Sequence, residues 1–370
     1  MIDLEIITRQ VLRNCDISDA RHAGLYSICG LALRLRDLYK WETGLPPWVE
    51  KDSSEILDWI GNREQKWEEI ADSEYSNLTI QGRDYDSFDT KKINAVLEPR
   101  GFFYGAGYAR SLKPTFFLAT IEDKKELMQR CVYSLGRELA RDLLTLPALS
   151  QDGAILVRQD SAKMFLWDQM FYIKKSGRPA LRFALQRCGV KDHRLEALHQ
   201  HLATIFAAQK ETYVYHELGE IMDTVFNRTI WREIIAAYPH TAVELLTRVV
   251  KDLLADTHEY GTLRYFIRER KAAGLGFYFA FIDGLAKVLF AEGVSAFAEF
   301  AQSGNWKLME KATDAGFQIA KRYADSMIAL YDTGKQKDDK DWAKNEIQKQ
   351  LIDSLTPPIN ASPANQPSSA

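Results

Sequence analysis

The chain lacks most of the short motifs from which a chemistry can be read directly. Its four cysteines, Cys15, Cys29, Cys131 and Cys188, form no CxxC pair, so a cysteine zinc site of the usual spacing is excluded. No GxSxG nucleophile motif is present. The segment GAGYAR (105–110) lacks the third glycine of a dinucleotide-binding fingerprint and falls inside a run typical of a strand, which argues against a nucleotide site there.

The chain also has little excess charge and no long apolar run. Its formal net charge is −3 over 370 residues, which argues against nucleic acid or an anionic membrane as a partner. The most apolar run, residues 275–291, contains Asp283 and Lys287 and is too short to span a bilayer. We therefore predict one buried helix in this run and no membrane partner.

The cysteines and the first residues predict a location. Four scattered cysteines are typical of reduced, buried thiols in a cytoplasmic protein. The chain begins with MIDLE, which is acidic where a signal peptide is basic, and Arg9 and Arg13 interrupt any apolar core. We expect a soluble cytoplasmic protein without a signal peptide.

The composition and the distribution of prolines predict a largely helical fold. Apolar residues make up 46% of the chain and charged residues 27%, which is ordinary for a globular protein with a real core. Only Pro239 interrupts residues 180–356, so we expect long helices there. Helical patterns and short aromatic runs segregate along the chain, which predicts an α+β protein: mostly α, with a small antiparallel β module and a multi-helical C-terminal domain. The predicted parts are an N-terminal helical segment (1–79), a small α+β module (80–160), a helical domain (161–334), and a charged and then disordered tail (335–370).

The local sequence patterns also predict individual strands and helices. Within the β module we expect strands at 102–109, 115–122, around 127–135 and 154–158, but RELARDLL (137–144) predicts a short helix, Arg137–Leu144, with a solvated charged face. Within the helical domain the apolar spacing predicts uninterrupted helices that include 193–227 and 258–272.

The densest set of potential ligand side chains is ETYVYHELGEIMD (211–223). On a helix, His216 and Glu220 lie one turn apart on the same face, with Glu217 to one side. The motif has the form of HExxH with its second histidine replaced by Glu220, so the metalloprotease arrangement is incomplete. A His/Glu pair suits iron, manganese or magnesium, and Glu217 is then a ligand or the general base.

Such a site needs a third ligand from another element. We predict that it comes from His258, Glu259 or Asp256, which are expected to open a later helix that returns antiparallel. Six of the seven histidines lie between His193 and His258, which is the other indication of a metal. The alternative interpretation is that the His216 face is the solvated side of an amphipathic helix.

Several phrases together resemble a known family. They are LYKWETGLPPW (38–48), FFYGAGYARSLKPTFFLA (102–119), GRELARDLLTLPA (136–148) and YHELGE (215–220). They resemble a family of bacterial proteins without an assigned function, over most of residues 20–330. The resemblance implies a bacterial origin and a cytoplasmic setting, but no activity, cofactor or catalytic residue.

Two functions remain open from the sequence. The first is a helical binding or adaptor protein that acts on an unknown protein partner and has no chemistry of its own. The second is an enzyme that depends on a divalent metal, with metal ligands among His216, Glu220, His258 and Glu259 and with Glu217 as the catalytic residue.

Overall fold

The computed structural model describes residues 2–355; the tail segment 356–370, which was expected to be disordered, lies outside them. The strands are β1 (Leu78–Ile80), β2 (Arg83–Tyr85), β3 (Phe102–Tyr108), β4 (Pro114–Leu127), β5 (Arg130–Arg141), β6 (Ala148–Gln151) and β7 (Ala154–Arg158). The helices are α1 (Leu4–His22), α2 (Ile28–Glu42), α3 (Ser53–Ile70), α4 (Thr90–Leu97), α5 (Gln159–Phe171), α6 (Arg178–Arg187), α7 (Leu195–Leu198), α8 (Leu202–Met222), α9 (Arg228–Ala237), α10 (Ala242–Thr257), α11 (Thr262–Arg268), α12 (Ala272–Phe281), α13 (Gly284–Leu289), α14 (Ala291–Ser303), α15 (Trp306–Gln336) and α16 (Lys340–Ile347). The predicted α+β class is confirmed.

The main sheet has five strands in the order β3-β4-β5-β7-β6, and β1 and β2 form a separate hairpin. Neighbouring strands are antiparallel except for β5 and β7, which run parallel. Residues alternate between two cores along β4: Phe116 and Leu118 pack with α1, whereas Phe117 and Ala119 pack with Phe103 on the other face. This period of two is what a sheet covered on both faces requires.

The predicted helix Arg137–Leu144 is wrong, because residues 130–141 form β5. This segment pairs with β4 on one side and β7 on the other, and two ladders outweigh a local helical pattern. The predicted solvated face is wrong as well. Glu138 and Arg141 are each 2% exposed and Asp142 is fully buried, since all three belong to ionic networks inside the protein.

The helical part is more broken than its apolar spacing predicts. Residues 193–227 form α7, a 3₁₀ turn (His199–His201) and α8, and α8 ends at Met222 because Asp223 turns to extended backbone. Residues 258–271 contribute only the shorter α11, and α12 begins at Ala272. The apolar run 275–291 breaks near Gly284, whose φ is 53°, a conformation that glycine adopts without strain.

α8 lies at the centre of the fold. Val214 and Leu218 pack on Val132, Ile155 and Val157 of the sheet, while other residues of α8 contact α10, α11 and α12. α1 shares a core with the sheet through Ile7, Val11 and Cys15, so residues 1–79 contribute to the β module; the proposed division into parts stays a prediction. No helix within residues 2–355 is both long and apolar enough to cross a membrane.

Candidate metal centre

The candidate site lies where α8 and α10 pack closely against each other. Three pairs place the helices antiparallel: His216 with Asp256, Gly219 with Ala255, and Asp223 with Lys251. A Cβ atom at Gly219 would stand 2.1 Å from the carbonyl oxygen of Ala255. Only a residue without a side chain therefore allows this approach, which brings the polar side chains on either side of Gly219 against α10.

Three side chains of α8 form a group with the geometry of a metal site. His216, Glu217 and Glu220 each offer one ligand atom, and these atoms lie within 4.8 Å of one another. His216 and Glu220 are one helical turn apart, and Glu217 is the residue after His216, so all three point toward one region. The sequence-based grouping of His216, Glu217 and Glu220 therefore has the corresponding geometry in the fold.

α10 adds two carboxylates to this group. The Nδ1 atom of His216 is 2.9 Å from Oδ1 of Asp256, and its Nε2 atom is 3.9 Å from Oδ1 of Asp252. The two carboxylates therefore face the two nitrogens of one imidazole ring. Tyr278 of α12 also interacts with Asp256, whose charge helps to raise the pKa of the Tyr278 hydroxyl. A carboxylate fixed in this way can set the orientation and tautomer of a histidine.

The surroundings shift the proton affinities within the group. Burial disfavours the charged imidazole, but the carboxylates of Asp256 and Asp252 outweigh it and raise the pKa of His216 well above its usual value. Burial and the neighbouring charge of Glu220 raise the pKa of Glu217 to about 7, although a hydrogen bond from Ser150 of β6 opposes the shift. The group therefore holds more negative charge than its single imidazolium can balance.

The remaining predicted residues lie outside this group. The Nδ1 atom of His258 accepts a hydrogen bond from the backbone N–H of Tyr260, and the ring contacts Phe317. Glu259 is exposed. Neither joins His216 and Glu220. Asp256 does reach His216, but from the last turn of α10; the expectation that it opens a later helix is wrong. Asp223, the last residue of the segment 211–223, pairs with buried Lys251.

Sequence reasoning missed Asp252, Tyr278 and the role of Gly219. Asp252 and Asp256 are one turn apart on α10, which is the same i, i+4 spacing as His216 and Glu220 on α8. This repeated spacing on two helices that can pack antiparallel was the sequence feature from which a shared site could have been predicted. The face that the alternative interpretation placed in solvent is only partly exposed: the His216 side chain is 26% exposed, Glu220 is half-buried and Glu217 is buried.

These features define an α+β protein in which two central helices enclose a histidine–carboxylate group. A family model described as a family of unknown function (DUF6866) N-terminal domain matches residues 6–158. The model of the C-terminal domain of the same family matches residues 163–350. The chain belongs to this family, to which no activity is assigned. No curated protein and no solved structure gives a significant match.

Proposed function

We propose that this protein binds a divalent metal ion between α8 and α10, with His216, Glu220 and Asp252 as ligands and with Glu217 beside them as a further ligand or as the general base. The supporting observation is the convergence of one imidazole and several carboxylates from two helices on one partly exposed region. Mixed nitrogen and oxygen ligands suit manganese, iron or zinc. Bacterial origin and a cytoplasmic location accompany this proposal. The four free cysteines support the cytoplasmic location, although the expectation of buried thiols is met by Cys15 alone and Cys29 is exposed.

The distances are compatible with one ion. Two metal–ligand bonds of about 2.1 Å span at most about 4.2 Å. The 3.9 Å between His216 Nε2 and Asp252 Oδ1 falls within that limit. The ligand atoms of the three α8 side chains lie within 4.8 Å of one another, so adjustments of a few tenths of an ångström bring them into range. Asp256 occupies Nδ1 of His216, which leaves Nε2 directed toward the ion.

The group also contains a residue suited to proton transfer. In the metal-free protein the pKa of Glu217 is raised to about 7, and a bound cation would lower it, so Glu217 would be a carboxylate beside the ion at neutral pH. Beside a bound cation, Glu217 is the residue that would take a proton from metal-bound water. We therefore propose a metal-dependent hydrolytic activity as the chemistry of this site, with Glu217 as the base whenever it is not itself a ligand.

The competing interpretation is an ion pair without metal. In that case His216 stays protonated and joins α8 to α10 through Asp256 and Asp252. The two interpretations differ in their proton balance. Because a metal replaces the proton on Nε2, binding releases a proton and becomes tighter as pH rises, whereas the ion pair takes up no metal at any pH.

The experiment measures metal content after supplying Mn²⁺, Fe²⁺ and Zn²⁺ separately and removing free metal by gel filtration. We expect one ion per chain for the unmodified protein and for the control variant His258→Ala. We expect loss of that ion in His216→Ala and in Glu220→Gln. Metal-free protein under all three conditions would contradict the proposal. Equal metal content in all variants would contradict it as well.

A binding protein without chemistry is the second candidate. Large apolar side chains are exposed in the N-terminal part: Ile28 is 89% exposed and Leu57 is 65% exposed. Single exposed apolar side chains are common, whereas a contiguous apolar patch is typical of an interaction surface. If the metal experiment fails, replacing Ile28 and Leu57 by glutamine and measuring recovery of bound proteins is the next test of this candidate.

A further inference from the structure

A second feature of the molecule is a cleft of about 890 Å³ beside the main sheet. Its walls come from α1, α2, α3 and β5 and from the beginning of α5, through Lys163 and Met164. It therefore lies where the two family segments meet. It shares no lining residue with the candidate metal centre and stands independently of it.

The lining carries six basic and four acidic side chains, in a chain whose net charge is negative. Two of the acidic ones are already paired near the outer helices. Arg63 pairs with both Asp16 and Glu42, and Lys66 pairs with Asp16. These carboxylates are therefore neutralised by fixed partners and are poor ligands for a further cation.

The other two carboxylates are held from within the protein. Glu138 accepts hydrogen bonds from the Nε atom of Arg158, at 2.6 Å, and from the hydroxyl of Ser161. Asp160 accepts one from the backbone N–H of Glu138, at 3.1 Å. The acidic side of the lining is thus satisfied by the protein itself.

Among the basic side chains, Lys40, Arg63 and Lys66 form ion pairs, whereas Arg141 is only partly satisfied. Arg141 is 2% exposed, yet its Nη2 atom has no hydrogen-bond partner among the described residues. Its Nε atom donates to the carbonyl oxygen of Asp142 at 3.3 Å and stands 3.9 Å from Glu138. Leaving a buried guanidinium N–H without an acceptor is unfavourable, so a site of this kind points to an acceptor that the protein does not supply.

Two further cations of the lining lack an anionic partner. Arg137 is exposed and Lys163 is half-buried, and neither forms an ion pair within residues 2–355. Arg137 and Arg141 are on the same strand, β5, and Lys163 lies on the first turns of α5. The Trp41 ring, 5.9 Å from the guanidinium carbon of Arg141, adds an apolar wall.

From these observations we propose that the cleft binds a small organic anion that carries a phosphate or carboxylate group. Arg141 supplies the inner hydrogen bonds, because its planar guanidinium fits both groups through two parallel N–H donors. Arg137 and Lys163 complete the charge near the entrance. Leu38, Pro46, Leu139 and Met164 offer apolar surface for the remainder of the molecule.

The test is isothermal titration at fixed ionic strength with inorganic phosphate, succinate and adenosine monophosphate as probes and chloride as the reference ion. We expect saturable binding of at least one probe. Phosphate binding without succinate binding identifies a phosphate group, and the reverse identifies a carboxylate. We expect Arg137→Gln and Lys163→Gln each to weaken binding about tenfold, since charge-assisted hydrogen bonds are about twice as strong as neutral ones.

The matched controls are Arg182→Gln and Lys311→Gln, which remove exposed cations outside the cleft. They should leave the dissociation constant unchanged. Arg141→Met should abolish binding; if it fails to fold, the two entrance variants still decide the outcome. Absence of saturable binding for all three probes overturns the proposal. Equal weakening by the control variants also overturns it, because that result shows non-specific attraction by surface charge.

Discussion

Two clusters of charged side chains in this protein have similar compositions but different degrees of charge balance. In the N-terminal part, Lys113 lies between Asp19 and Asp142, and all three side chains are at most 1% exposed. In the C-terminal part, His216 lies between Asp252 and Asp256 with two glutamates nearby. Each cluster places one cation among more than one carboxylate.

The difference is how the excess negative charge is balanced. Around Lys113, backbone N–H groups complete the balance: Leu143 donates to Asp19, and Phe116 and Leu144 donate to Asp142. Burial also raises the pKa of Asp19 to about 7, which lets that carboxyl take up a proton. Fixed donors therefore hold both carboxylates, although Oδ1 of Asp19, 2.9 Å from Nζ of Lys113, makes no hydrogen bond within the described residues.

The His216 cluster has fewer fixed donors within the described residues, namely Tyr278 near Asp256 and Ser150 near Glu217, and it remains partly open to solvent. Its carboxylates face a single ring, and the Asp252 side chain is 58% exposed. A closed network stabilises a fold, whereas an open and unbalanced one can accept a cation from outside. The comparison therefore assigns a structural role to the first cluster and motivates the metal proposal for the second.

We expect the largest loss of stability when the buried cation Lys113 is removed. We expect Lys113→Met to lower the free energy of unfolding by about 3–5 kcal/mol, because it leaves Asp19 and Asp142 buried without their partner. Urea unfolding followed by circular dichroism measures the change. Lys311→Met, on an exposed position of α15, is the control and should change little. A loss below about 1 kcal/mol for Lys113→Met would remove the contrast between the clusters.

The next effect concerns the open cluster. A metal that binds only the folded state stabilises it by about 2.7 kcal/mol at a concentration one hundred times the dissociation constant. We expect this gain for the unmodified protein and for Glu259→Gln, but not for Glu220→Gln. Thermal unfolding with and without Mn²⁺ measures it. A gain that survives in Glu220→Gln would place the metal elsewhere on the chain.

The pH dependence of the metal-free protein is the third prediction. The folded-state pKa of Glu217 is raised from about 4.5 to about 7. Stability is therefore lost as pH rises from 4.5 to 7, where folding must deprotonate a carboxyl that prefers to stay neutral. The raised pKa of His216 adds a loss at higher pH, since its charged form stabilises the fold below its unfolded-state pKa, about 6.5, and this benefit disappears through its folded-state pKa.

Glu217→Gln tests this directly because glutamine resembles the neutral carboxyl. We expect the variant to gain on the order of 2 kcal/mol relative to the unmodified protein at pH 8 and little at pH 4, since one pKa unit corresponds to about 1.4 kcal/mol. Urea midpoints at the two pH values measure the difference. A variant that is less stable at pH 8 than at pH 4 by the same margin as the unmodified protein would contradict the assignment.

The sequence was sufficient for the features that depend on local spacing. The fold class, strand β3 and the shared face of His216 and Glu220 follow from periodicity within a few residues. The prediction of a helix at Arg137–Leu144 was wrong because most of this segment belongs to β5, which pairs with β4 and β7. The local sequence does not show that two strands lie beside it. The charges that seemed to mark a solvated helix are instead buried partners of Arg158 and Lys113.

The same limit applies to the candidate site. The α8 side chains could be grouped from spacing alone, but their partners on α10 depend on how two helices pack. Gly219 decides that packing through its contact with Ala255, and glycine inside a helical pattern gave no indication of which helix approaches. His258 and Glu259 were reasonable by composition, yet they lie beyond the end of α10, whereas Asp252 and Asp256 lie on it.

We expect the smallest effect for an exposed ion pair that has the same separation as a buried one. Lys321 and Asp325 of α15 are 2.9 Å apart, the same separation as Lys113 and Asp19, but their side chains are 43% and 54% exposed. Water already solvates both charges, so their attraction is screened and the side chains gain little by pairing. We expect Lys321→Gln to change the free energy of unfolding by less than about 0.5 kcal/mol. Urea unfolding beside Lys113→Met measures it, and a loss comparable to that of the buried pair would show that distance, and not burial, decides what these ion pairs contribute.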